Sequence, residues 1–186
     1  MAAEDSPQLY LITPPEFDPA PFAERLAGIL DAEPVACVRI AMAGRDADRI
    51  GRAADAVRLA AHARDVAVVI DSHLKLVERH GLDGVHLPDG ARALRAARKE
   101  LGPDAIVGAF CGQSRHDGIN AGEAGADYVA FGPAGALAGR LNGSTSQSRV
   151  RSYFFRISSP NLSMNCGSAS KFSSFAGCPS LTGTVS

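Results

Sequence analysis

Beyond Gly139 the chain contains no acidic residue: all 20 Asp and Glu fall within residues 1–139 of 186. The same final stretch holds 13 serines and only five basic residues, Arg140, Arg149, Arg151, Arg156 and Lys171. No apolar run approaches the roughly 18 residues that would span a bilayer. No basic segment precedes an apolar one between Met1 and Pro7, so a secretory signal is not expected. The four cysteines, Cys37, Cys111, Cys166 and Cys178, have neither metal-ligand spacing nor the density of a disulfide framework. The net charge of −1 gives no reason to expect a nucleic-acid or membrane-surface partner. A cytoplasmic location is the expectation that remains.

Within residues 8–139 two patterns alternate. Short Val/Ile-rich runs read as strands, and longer Ala/Arg/Leu/Glu stretches with apolar residues every three or four positions read as helices. Strands are expected at 9–13, 35–40, 67–70, 84–87, 105–110 and 128–132. Helices are expected at 17–30, 46–63, 74–80, 91–101 and 118–125, with Gly81 closing the third. The third strand, Ala67-Val68-Val69-Ile70, is apolar at successive positions, as a parallel strand covered on both faces would be. Six strands alternating with five helices predict successive βα units around a parallel sheet. Right-handed crossovers leave an open doubly wound sheet or a closed barrel. After Thr13 comes Pro14-Pro15 rather than a glycine-rich loop, and proline offers no N–H to a phosphate. That lowers the dinucleotide-binding reading and raises the barrel.

Four segments carry a resemblance. Leu9-Tyr10-Leu11-Ile12-Thr13-Pro14, Asp83-Gly84-Val85-His86-Leu87, Ile106-Val107-Gly108-Ala109 and Glu123 to Pro133 resemble, in order and spacing, strands one, four, five and six of thiamine-phosphate synthases. The resemblance implies an incomplete TIM (β/α)₈ barrel of about six βα units over residues 8–139, followed by an irregular C-terminal tail. It implies a transferase of thiamine biosynthesis that joins hydroxymethylpyrimidine diphosphate to thiazole phosphate, releasing diphosphate. Mg²⁺ would be the cofactor and the two phosphorylated heterocycles the small-molecule partners. The site is expected at the C-terminal strand ends.

The resemblance also marks candidate residues, each with a plainer reading beside it. Arg39 falls at the Gln position of a Gln-Leu-Arg-x-Lys run that holds the pyrimidine diphosphate, while Ala41 and Ala43 replace its Arg and Lys. A guanidinium in an apolar strand needs an anion, either substrate or a structural carboxylate. Asp71 and Ser72 stand where the family has Asn-Asp, so Asp71 is a candidate for substrate contact and for metal. It serves equally well as a helix N-cap. Asp89 is the second candidate metal carboxylate, or a cap for the helix after it. His86 reads first as a satisfied interior group. Arg115 and His116 read as solvated loop residues, with Ser114 or Asp117 capping the next helix. Cys111 is a candidate substrate contact beside Phe110, which stands where the family prefers a small hydroxyl. Gly132 is a candidate substrate contact at the end of the sixth strand. The Thr-x-Thr-Lys clamp expected after it is replaced by Ala134 to Gly139, without hydroxyl or charge.

Residues 140–186 do not read as the two further βα units of a complete barrel. Tyr153-Phe154-Phe155, within 150–157, suggests one strand; the rest is expected to be disordered. So abrupt a break suggests truncation of the family sequence by an out-of-frame reading or a fusion junction. Unpaired edges on the first and sixth strands would then favour poor stability and self-association, including a homo-oligomer. Activity is expected to be impaired. A non-catalytic phosphate- or pyrimidine-binding regulator and a thiazole tautomerase-like enzyme are the alternative readings.

Overall fold

Asp46 shows how directly the local sequence sets an element. Its carboxylate accepts hydrogen bonds from the Asp48 and Arg49 amides, both at 3.1 Å, and opens helix α2 (Ala47–His62). Ile50, Ala53, Ala54, Val57 and Ala61 then form the buried stripe of that helix. The computed structural model describes residues 9–44 and 46–132, together with the backbone of residues 153–156.

The other elements follow in strict alternation. They are β1 (Leu9–Ile12), α1 (Pro19–Ala32), β2 (Val35–Ile40), β3 (Ala67–Asp71), α3 (Leu74–His80), β4 (Gly84–Leu87), α4 (Leu94–Leu101), β5 (Ile106–Phe110), α5 (Arg115–Glu123), β6 (Tyr128–Phe131) and β7 (Tyr153–Arg156). The sheet order is β1-β2-β3-β4-β5-β6-β7. The first five pairings are parallel. Six parallel strands alternating with helices therefore form an incomplete barrel wall. Gly81, at φ +60°, ends α3 in the left-handed conformation that glycine adopts freely.

Several boundaries differ from the sequence reading. The helix expected at 118–125 starts three residues earlier, because Ser114 accepts from the Asp117 amide at 3.1 Å and caps it. The helix expected at 91–101 divides into a single 3-10 turn, Gly90–Arg92, and α4. The sixth strand was expected to have a bare edge. Instead Tyr153–Arg156 pairs with it, running antiparallel, with Phe131 opposite Tyr153 and Tyr128 opposite Arg156. The expected strand near Tyr153 is therefore present. The expected disorder of the rest of 140–186 concerns residues outside the described ones.

Strand alternation divides the side chains between two faces. Val38, Ile40, Val68, Ile70, Val85, Leu87, Val107, Ala109 and Val129 meet the helices in the main core. Cys37, Val69, Ile106 and Tyr128 form a second, smaller cluster with Tyr10 and Ala67. This second, inner face is the one a closed barrel would turn toward its axis.

Two aspartates tie the N-terminal rim together in the same way. Asp83 Oδ2 accepts from the Val68 amide at 2.7 Å and lies 2.8 Å from His62 Nε2. Asp127 Oδ2 accepts from the Val107 amide at 2.8 Å and from Arg98 Nη2 at 2.6 Å. Each joins a strand start to its neighbour and to a helix.

Candidate functional site

The charged residues of the inner face lie at the C-terminal strand ends. Arg39, the penultimate residue of β2, and Asp71, the last of β3, face each other as a fork. Arg39 Nε donates to Asp71 Oδ1 at 2.6 Å and Nη2 donates to Oδ2 at 2.8 Å. Their side chains are only 13% and 26% exposed. Such bidentate, half-buried pairs are among the stronger protein hydrogen bonds. Burial opposes the guanidinium charge, but the hydrogen bonds and charge of Asp71 prevail and hold Arg39 above its ordinary pKa.

Below this pair runs a chain of three rings. Tyr10 and Tyr128 share a hydroxyl hydrogen bond at 2.8 Å, joining β1 to β6 across the inner face. Tyr128 Oη lies 2.9 Å from His86 Nδ1, and the two rings stack with centroids 5.7 Å apart. His86 is fully buried, and its Nε2 makes no hydrogen bond among the described residues. Burial, and then the charge of Arg39, push the His86 pKa well below 6.5, so the imidazole is neutral near pH 7. Burial also raises both tyrosine pKa values well above 10, Tyr10 further through Tyr128 and Tyr128 further through Cys37. Gly108 makes room for this chain: a Cβ there would lie 2.0 Å from Tyr128 Cζ.

Thr13, just past β1, stitches the rim. Its amide donates to the Arg39 carbonyl at 2.9 Å, and its Oγ1 accepts from the Ala41 amide at 3.0 Å. Ser72 follows Asp71 with φ +58°, an uncommon conformation for a residue with a side chain. Its amide donates to the His86 carbonyl at 3.1 Å. Asp71 does not cap α3; His73 stands at that position.

Arg39, Asp71 and His86 thus come together. The other candidates lie apart from them. Cys111 is buried in the main core with its thiol 3.8 Å from the Ala109 carbonyl, so it sits on the helix side while strand alternation sends Phe110 inward. Burial, then Asp117, pushes the Cys111 thiol up to about 11. Gly132 follows β6 with φ +115° and donates its amide to the Gly112 carbonyl at 2.8 Å. Asp89 is exposed before the 3-10 turn and makes no capping hydrogen bond. Arg115 and His116 are exposed on the first turn of α5. The sequence reading singled out neither tyrosine. Their shared inward parity on β1 and β6 was the available signal, but their contact depends on how far the sheet curls.

Magnesium sets a demanding standard for these side chains. It needs oxygen ligands at about 2.0–2.1 Å in octahedral array. Both Asp71 oxygens are engaged by Arg39, Ser72 stands at the neighbouring position, and Asp89 is the one other carboxylate on the adjacent loop. Among the described residues no three His, Cys, Asp or Glu side chains are grouped to hold a metal. As arranged, these residues do not fit the ion.

An incomplete parallel βα barrel with polar groups at its C-terminal rim defines the class, that of (β/α) barrels, whose sites lie at the C-terminal strand ends. The sequence matches the family described as "Thiamine monophosphate synthase" over residues 9–136. The chain belongs to that family. The thiamine-phosphate synthase of Rhodospirillum centenum is 49% identical over 125 residues, covering 67% of this chain and 60% of that protein. That of Hyphomonas neptunium is 41% identical over 133 residues, covering 67% and 59%. The fold is also that of a solved thiamine phosphate pyrophosphorylase from Pyrococcus furiosus, with TM-score 0.58 and 21% identity over 67% of this chain and 59% of that one. The chain thus spans about 60% of the length of its curated relatives. Family membership is consistent with a metal-dependent enzyme. Among the described residues no helix is long and apolar enough to cross a membrane.

Proposed function

We propose that this chain is a thiamine-phosphate synthase-type transferase of the cytoplasm, impaired relative to its full-length relatives. Its substrates would be hydroxymethylpyrimidine diphosphate and thiazole phosphate, and its product thiamine phosphate. The single observation carrying this reading is the family match from the first strand through the sixth. The chemistry breaks the bond between the pyrimidine methylene and its diphosphate, and the thiazole nitrogen captures the developing cation. A protein assists by positioning and by charge compensation rather than as a nucleophile.

The residues proposed to meet substrate are Arg39, Asp71 and Gly132; Cys111, expected among them from the resemblance, is set aside because its thiol lies in the core on the helix side. Asp71 and Asp89 are the carboxylates that the family resemblance marks for Mg²⁺. No step is routed through the ion, because Asp71 is engaged by Arg39. What the chain's own groups supply is a floor below the rim made of half-buried Tyr10, buried Tyr128 and buried, neutral His86.

Three features support impairment. Ala41 and Ala43 stand where the family carries cations. The hydroxyl- and lysine-bearing clamp after β6 is absent from the sequence. Because β7 is antiparallel to β6, its C-terminal residue Arg156 lies opposite Tyr128, at the rim away from the mouth. In complete barrels the loops after strands seven and eight commonly bind phosphate at that mouth.

The test is thiamine phosphate formation from the two substrates, read by chromatography beside the Rhodospirillum centenum relative. Turnover about 100-fold or more below the relative is expected, the scale of loss when charge-stabilising donors are removed. Turnover equal to the relative's would remove the impairment. Absence of product above a protein-free blank would remove the transferase reading.

A further inference from the structure

We infer that the Arg39–Asp71 ion pair makes this rim blind to divalent cations, with the guanidinium standing as the internal counter-charge of Asp71. The inference is independent of turnover and holds whether or not thiamine phosphate forms.

Geometry carries it. A carboxylate that accepts two hydrogen bonds, at 2.6 and 2.8 Å, from one rigid fork has its charge compensated along its whole face. A divalent ion binding there would have to displace the guanidinium or lie beside a positive charge. Displacement leaves a mostly buried arginine without an anion, a costly state. The imidazole on the neighbouring strand offers no escape. His86 pairs in register with Asp71 on the neighbouring strand, and its unpartnered Nε2 lies in a fully buried floor that feels the charge of Arg39. Asp89 is exposed on the following loop and cannot form a cation site alone. The neutral pair also keeps Arg39 from acting as a full positive charge toward an anion. Each partner masks the other, so removal of either should unmask a charge of known sign.

Mn²⁺ serves as a paramagnetic stand-in for Mg²⁺, and inorganic diphosphate as the anion probe. Wild-type protein titrated with Mn²⁺ is expected to keep sharp His86 ring signals in its proton spectrum. Broadening of those signals at about one equivalent would overturn the inference with no variant needed. Arg39→Gln should bind Mn²⁺ at least about tenfold more tightly than wild type, a shift of about 1.4 kcal/mol. Asp71→Asn should bind diphosphate more tightly by a similar factor. A folded Arg39→Gln protein, checked by circular dichroism, that gains no Mn²⁺ affinity would also overturn it.

Discussion

Protonating His86 would place a second positive charge beside Arg39 on a fully buried ring whose hydrogen-bonding partner among the described residues is the Tyr128 hydroxyl. Burial first, and Arg39 second, therefore hold its folded-state pKa well below that of the unfolded chain, near 6.5. Between those two values the unfolded chain binds a proton that the folded one does not. The contribution of His86 to stability is then fully present above about pH 6.5 and falls as the pH drops, by up to about 1.4 kcal/mol per pH unit. Urea denaturation from pH 5 to 8 should show this slope in wild type and a shallower one in His86→Asn; identical slopes would refute it. At this scale the sequence was partly legible. It showed that Arg39 needed an anion, substrate or a structural carboxylate, without naming which carboxylate. The choice between substrate and Asp71 depended on β2–β3 register, which no local pattern contains. Cys111 illustrates the reverse problem. One step along β5 moves a side chain from the inner face to the helix side, and so short a strand does not fix that parity in the sequence.

The packing of β5 against β6 rests on an absent side chain. An Ala Cβ at Gly108 would lie 2.0 Å from Tyr128 Cζ, so the ring would have to move and strain its contacts with Tyr10 and His86. Gly108→Ala should cost about 1–3 kcal/mol, the usual scale of overpacking. Gly28→Ala is the matched control: it lies within α1, an added Cβ would have no neighbour within 4 Å, and the change should stabilise by about 0.5–1 kcal/mol. Urea midpoints of the two variants should move in opposite directions, and movement in the same direction would contradict the packing described. Elements whose ends carry their own signal were legible. Asp46 and Gly81 mark theirs, and Ser114, considered with Asp117 as a cap, marks α5 three residues before the position expected. The 3-10 turn at Gly90 was not, because it depends on a positive φ that no motif announces. Nor was the direction of β7, since four residues carry no polarity signal.

For the whole molecule, the βα alternation before Gly139 gave successive parallel units, while the four segments resembling thiamine-phosphate synthases carried the family and, with it, the barrel. Closure could not be read, because pairing at the sheet's ends is a property of the assembled sheet. Among the described residues β1 begins the strand order, and Leu9 and Ile12 on it are 38% and 40% exposed. Apolar edge strands invite pairing with other chains, and lysine on such an edge discourages it. Wild type should therefore associate as its concentration rises, and Leu9→Lys should do so less; sedimentation showing wild type monomeric up to about 100 μM would argue against this edge as an interface, since stable contacts of moderate size bind in the micromolar range. The strand order has one more consequence. Every strand adjoins its predecessor in the chain, so the sheet can grow by successive addition as the polypeptide lengthens, each arrival templated by the last. The hydroxyl bond between Tyr10 and Tyr128 spans 118 positions and breaks that rule. It has to wait for β6, which makes it a latch that registers the arrival of the sixth strand rather than a guide for the first five.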